Sequence, residues 1–226
     1  MFVKKLSLKA LSCMLMTLAL AGVVAAAEDL GLANASLSDH VVIETSFGDI
    51  VLALDAEKAP VTVTNFLRYV DRQAYDGTIF HRVISGFMIQ GGGHFEDLSE
   101  SPSDPPILNE ADNGLSNQVG TIAMARLSEI DTASNQFFIN TADNPRLDHG
   151  PKSCSRAEES KRAALLARGL MKPKRCKSFG YAVFGEVIQG MDVVRRIEGV
   201  ETGIRDGFFD VPVEPIKIVT IRRVRS

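Results

Sequence analysis

Residues 80–92, FHRVISGFMIQGG, set one arginine, Arg82, among Phe80, Phe87, Met88 and Ile89, followed by Gln90 and then Gly91 and Gly92. A guanidinium keeps its charge at all ordinary pH values and presents N–H donors in a rigid fork. Beside apolar surface such a cation is costly unless it meets a partner or a ligand. Its chemistry is hydrogen-bond donation to a fixed point, not proton transfer. The glycines let the backbone pass close to a neighbour. Other chemistry is weakly represented. His81 could act as an acid or base, but strand alternation is expected to turn it away from Arg82 into a structural environment. Ser85-Gly86 lacks the Gly-x-Ser-x-Gly frame of a nucleophile elbow. Cys154, Cys176 and His149 are too scattered in sequence to define a metal site, so no metal is expected.

Two further blocks accompany the first: residues 120–148, GTIAMARLSEIDTASNQFFINTADNPRLD, and residues 179–191, FGYAVFGEVIQGM. Together the three resemble the signature segments of the cyclophilin-type peptidyl-prolyl cis-trans isomerases. The resemblance runs from about Val41 to the C-terminus with one interruption, and is strongest to the bacterial periplasmic cyclophilin A group. It implies rotation about Xaa–Pro peptide bonds in unfolded or extended segments of exported proteins, with no cofactor. By the same resemblance Arg82 and Gln90 are the catalytic pair. Phe87, Met88, Phe138 and Leu147 form the proline pocket with Tyr181 at its edge. Gln136 and the backbone at Ala125 and Arg126 line the peptide groove. A protein with the pocket but not the rate, a non-catalytic proline-peptide-binding chaperone module, is the alternative. Three positions depart from the family pattern: Ser85 replaces a usual proline, Arg126 a small polar residue, and Arg146 an aromatic residue.

The elements that must carry these residues can be read from periodicity. Residues 41–54 alternate, with Ile50, Leu52 and Leu54 on one face and a turn over 46–49, predicting a β-hairpin. Pro60 opens a helix whose buried face is Val63, Phe66, Leu67 and Val70. Strands are predicted over 78–83, 88–91, 120–124, 136–140, 181–187 and 216–224, and a second helix is marked by Met191, Val194 and Ile197. The loop at 96–106 is rich in Pro, Ser and acids. The fold class is mostly β. Short strands with two helices suggest a closed barrel, and the resemblance specifies an eight-stranded antiparallel one capped by two α-helices.

Residues 1–27 read as a signal peptide: Lys4, Lys5 and Lys9, an apolar stretch over 10–24, and Ala25, Ala26 and Ala27 before a cleavage point. The apolar stretch is short of the roughly 20 residues that span a bilayer. A periplasmic or secreted location is therefore expected, with a lead-in over 28–38 and an isomerase domain over 39–226. Cleavage removes three lysines and takes the formal charge from −3 to −6, which does not suit nucleic-acid binding. An insertion at about 150–178 interrupts the domain; residues 151–178 hold nine basic and two acidic side chains. This surface suits an acidic partner or an anionic membrane surface, or is simply solvated. Cys154 and Cys176 are the only cysteines beyond the signal and are expected to bridge in an oxidising compartment. Between them Ser155 and Glu158 form a capping box, Glu158 and Arg162 an i,i+4 pair, and Ala163, Leu166, Ala167 and Leu170 one face of a helix closed by Pro173. A monomer is expected.

Overall fold

The computed structural model describes residues 40–170 and 177–224. The expected signal peptide and lead-in lie outside the described residues, as does Cys176.

The predicted hairpin forms from β1 (His40–Thr45) and β2 (Gly48–Leu54), with Ile43 opposite Ile50 and Val41 opposite Leu52, all fully buried. The Thr45 hydroxyl ties the turn, donating to the Gly48 carbonyl at 2.7 Å and accepting the Phe47 N–H at 3.0 Å. Helix α1 (Pro60–Asp71) starts at a proline, where a missing N–H costs nothing. Its free N–H groups at Val61 and Thr62 donate to the Glu110 carboxylate at 3.1 and 2.8 Å. An acid from a distant loop thus caps this helix.

The remaining strands are β3 (Phe80–Ile84), β4 (Met88–Gly91), β5 (Thr121–Met124), β6 (Phe137–Asn140), β7 (Val183–Gln189), β8 (Thr202–Arg205), β9 (Phe208–Pro212) and β10 (Ile218–Arg223). Helix α2 (Arg156–Ala167) lies in the insertion, and α3 (Met191–Glu198) follows β7. Eight strands form one antiparallel sheet in the order β10-β1-β2-β7-β5-β6-β4-β3. The closed barrel expected from the sequence is not what forms: the sheet is open, with β3 and β10 as its two edges. Among the described residues no ladder joins these edges. Contact between them is confined to one corner, where Phe80 donates to Ile216 and Ile218 to Thr78 at 2.9 and 2.8 Å. A bulge bends β3 just past this corner, and β9 lies along β3 instead.

The concave face holds an aromatic core. Phe137 meets Phe66, Tyr75 and Phe80 edge-on, with ring centroids 5.7, 5.6 and 6.2 Å apart. Such T-shaped pairs add to simple area burial. Gly92, at φ +86°, passes this cluster so closely that a Cβ would stand 2.9 Å from Phe137 and Tyr75. The glycine here is required on both conformational and steric grounds.

The β8–β9 hairpin forms a separate small sheet that the sequence reading did not anticipate. Its turn is Asp206-Gly207, both with positive φ, the pairing that favours a tight hairpin turn.

In the insertion the capping box forms: the Glu158 carboxylate accepts the Ser155 N–H at 2.8 Å, and the Ser155 hydroxyl accepts the Glu158 N–H at 3.2 Å. Of the expected apolar face, Ala163, Ala167 and Leu170 are exposed, and the Leu166 side chain lies outside what is described. Alanine methyls offer too little area to hold the helix down. Arg156 does so instead. It pairs with Asp131 at 3.3 Å and Asp112 at 3.7 Å, donates to the Asn109 carbonyl, and lies over the Phe179 ring at 4.8 Å. The Arg162 side chain and Pro173 lie outside what is described.

Candidate active site

The site is built on the outer face of β3, β4, β6 and β5. Arg82 is directly opposite Gln90 in the β3–β4 ladder, and Gln90 is opposite Phe138 in the β4–β6 ladder. Strand alternation then sends Phe137 to the core and Phe138 to the groove. The Gln90 amide donates to the Gln136 side-chain oxygen at 2.9 Å, joining two polar groups across the groove floor. Gly93 makes room for this pair: a Cβ there would stand 2.3 Å from Gln136 Cγ.

Phe87, Met88, Phe138, Leu147 and Tyr181 pack with Ala123, Ala125 and Val183 as one apolar cluster. The Phe138 and Tyr181 rings meet edge-on at 5.7 Å. The ten residues expected to be catalytic or substrate-binding line a single cavity of about 520 Å³. Arg126 contributes as a wall. Its Nε donates to the Gly180 carbonyl at 2.9 Å, and its guanidinium lies 4.7 Å over the Tyr181 ring. Arg146 is exposed on the short turn Pro145–Leu147 and does not line the cavity.

The groove continues past Arg82 to His81, His94 and the tip of the β8–β9 hairpin. This overturns the expected placing of His81. The β3 register shifts between Phe80 and Arg82, so two residues, His81 and Arg82, face one position of β4. The bulge breaks the alternation and brings both side chains to the same cavity. His81 is buried, its Nδ1 has no hydrogen-bond partner among the described residues, and its ring lies 4.5 Å from that of His94. Burial, with His94 adding to it, pushes the His81 pKa down to about 3. It is therefore neutral at any pH where the protein would work.

That shift has a consequence for stability. An unfolded histidine protonates near 6.5, so between about pH 6.5 and 3 the unfolded chain holds one more proton than the folded one. Stability is expected to fall as pH drops through this window, by up to about 1.4 kcal/mol per pH unit from this group. His81→Phe should show a shallower loss in urea unfolding series from pH 7 to pH 4. Identical pH dependence in the two proteins would contradict the buried neutral imidazole.

Two supports were not legible in the sequence. The Glu198 carboxylate, from α3, accepts the Gly86 N–H at 2.7 Å and a bond from Arg195 at 2.7 Å. Burial would raise its pKa, but hydrogen bonds led by Arg195 outweigh it and hold the group below its ordinary value. A carboxylate thus fixes the Ser85-Gly86 turn. The second support is a chain of buried amides. Asn144 donates to the Phe87 carbonyl at 2.9 Å and to Asn140 at 2.7 Å, and Asn140 donates to Asn117 at 3.2 Å. It locks the backbone beneath the apolar pocket.

Arg82 itself has one charged partner among the described residues, Asp210 of β9, at 3.4 Å from Nε; both side chains are about two-fifths exposed. The site therefore joins a held cation, an amide pair and an apolar pocket. It can bind a small apolar ring and present a fixed donor beside it.

Comparison with known proteins agrees. Residues 40–223 match the family model described as cyclophilin type peptidyl-prolyl cis-trans isomerase/CLD. Peptidyl-prolyl cis-trans isomerase A of Dickeya dadantii is 47% identical over 192 residues, 85% of this chain and 88% of that protein. Peptidyl-prolyl cis-trans isomerase cyp18 of Streptomyces antibioticus is 48% identical, over 79% of this chain and 94% of that protein. In fold, the chain is similar to the crystal structure of a cyclophilin type peptidyl-prolyl cis-trans isomerase from Cryptosporidium parvum, with a TM-score of 0.60 at 23% identity, covering 83% of this chain and 98% of that one. With the groove and its relatives both in view, the chain belongs to the cyclophilin-type peptidyl-prolyl cis-trans isomerases and is an enzyme acting on proline peptide bonds.

Proposed function

We propose that Arg82 is the group that lowers the rotation barrier, and that the enzyme acts on exported polypeptides. The observation that supports the first part most is Arg82 in register with Gln90, at the rim of the pocket formed by Phe87, Met88, Phe138 and Leu147. An Xaa–Pro bond resists rotation by about 18–20 kcal/mol because of amide resonance. Twisting breaks the resonance and localises a lone pair on the prolyl nitrogen. That nitrogen accepts a hydrogen bond only in the twisted state, so a donor aimed there stabilises the transition state over the ground state. The pocket holds the ring while the preceding carbonyl swings. Gln90 and Gln136 orient the arginine and the substrate backbone.

No proton is transferred in this scheme, and His81, next to Arg82 in β3, stays neutral. kcat/KM for a short Xaa-Pro peptide is expected to be flat from about pH 6 to pH 9. Rates from NMR exchange across that range check this. A steep limb near pH 6.5, in protein still folded, would bring a histidine of the groove into the mechanism.

The export reading rests on the basic and apolar pattern of residues 1–27 and on the two cysteines beyond it. In the exported protein Cys154 and Cys176 are expected to form a disulfide that orders the insertion, stabilising it by about 3 kcal/mol in the chain-entropy model. Mass spectrometry of protein isolated without reductant should find a mature N-terminus near Glu28 and no free thiol. Two free thiols would refute the pairing. Reduction should speed proteolysis within the insertion and leave the rate on a short peptide unchanged. With Arg156 matched by Asp112 and Asp131, Lys152, Lys161 and Arg168 are exposed among the described residues of the insertion. This face is read as a contact surface for acidic polypeptide partners.

A further inference from the structure

The β8–β9 hairpin is short and mostly exposed, and a lone hairpin in water is marginal. Here it is pinned against the groove. Val211 is buried with Ile79 and Leu98; Phe208 meets the His94 ring edge-on at 5.2 Å; Asp210 pairs with Arg82 at 3.4 Å. On the other strand Arg205 donates to the Glu96 carbonyl. The left-handed backbone at Asp210, φ +61°, breaks strand alternation. Phe208, Phe209 and Asp210, three consecutive residues, line the same cavity as Arg82.

Phe209 is 65% exposed and Phe208 36%. Two aromatic rings are thus held in water on an anchored backbone, at the end of a groove whose other end is the apolar pocket. That continuity points to the occupant: a polypeptide whose proline enters the pocket and whose chain runs past Arg82 meets this wall. We propose that Phe208 and Phe209 form an aromatic subsite for an aromatic or large aliphatic side chain of the substrate, on the Arg82 side of its proline. The inference rests on Arg82 and the adjoining pocket being the isomerase site. Rings fixed in place lose little freedom on stacking. Because this contact forms equally in the ground and twisted states, it acts on KM and not on kcat.

The test is a set of peptides with one fixed Xaa-Pro bond and glycine elsewhere, with a single phenylalanine moved through each flanking position. Isomerisation is followed by NMR and affinity by calorimetry, for the wild type, Phe209→Ala and Phe209→Tyr. The wild type should prefer phenylalanine over glycine about fivefold, at positions on one flank only, through KM. Phe209→Ala should abolish most of that ratio, and Phe209→Tyr should keep it. A wild-type ratio of one at every position would overturn the subsite. So would a Phe209→Ala loss equal for glycine and phenylalanine peptides. Failure to isomerise any peptide would instead refute the assignment of the site, while the calorimetric ratio would still decide whether the aromatic wall binds.

Discussion

Arg82→Ala is expected to lower kcat/KM by about a hundredfold, equivalent to about 2.7 kcal/mol of transition-state stabilisation, while the protein stays folded. The two halves of this expectation have different causes. The Arg82–Asp210 pair is about two-fifths exposed on both sides, and pairs of that kind contribute about 0–1 kcal/mol to folding. Its loss should therefore hardly move the melting temperature. In the proposed mechanism the rate depends on a donor that meets the prolyl nitrogen only when the amide is twisted, and alanine offers none. Arg82→Lys should recover little, because a flexible ammonium lacks the planar fork. Thermal unfolding and isomerase rate on one preparation check both halves. A folded alanine variant keeping more than about a tenth of the wild-type rate, a loss under about 1.4 kcal/mol, would sink the donor assignment.

Phe137→Ala and Phe138→Ala should separate stability from binding in adjacent residues. Phe137 is fully buried and meets three aromatic rings. Its truncation should cost about 3–5 kcal/mol by denaturant unfolding, from lost transfer energy and the cavity left behind. Phe138 is also buried, but it faces the pocket and touches Tyr181. Its truncation should cost less stability and weaken peptide binding at least about tenfold, since a pocket wall is removed. Equal stability losses with unchanged binding would mean that Phe138 belongs to the core and not to the site.

Most of the site was legible because it is carried by short, contiguous segments. Residues 88–91 and 136–140 each alternate core and groove, so reading one register places Met88, Gln90, Gln136 and Phe138 together. The closure of the sheet was not legible. Whether two edges pair depends on strands at opposite ends of the domain, and no local pattern records the bulge that bends β3 away at His81. The same bulge defeated the expectation that His81 points away from Arg82. Glu198 supports a turn 112 residues earlier, a contact with no sequence signature at either end. The β8–β9 hairpin is a different case. Asp206-Gly207 is a strong hairpin signal, but flanking strands that are largely exposed show no apolar alternation to accompany it. In the insertion the helical spacing of Ala163, Leu166, Ala167 and Leu170 suggested a packed face, but Ala163, Ala167 and Leu170 are exposed, and Arg156 forms ion pairs at the first turn of the helix.

Arg82 is proposed to act on the twisted amide and not on substrate affinity. NMR exchange spectroscopy at saturating Xaa-Pro peptide tests this most directly, because it reads the cis–trans interconversion rate on the enzyme and the dissociation constant in one sample. For Arg82→Ala, the on-enzyme rate should fall about a hundredfold while the dissociation constant changes less than about threefold. An unchanged on-enzyme rate with greatly weakened binding would make Arg82 a binding residue and contradict the mechanism.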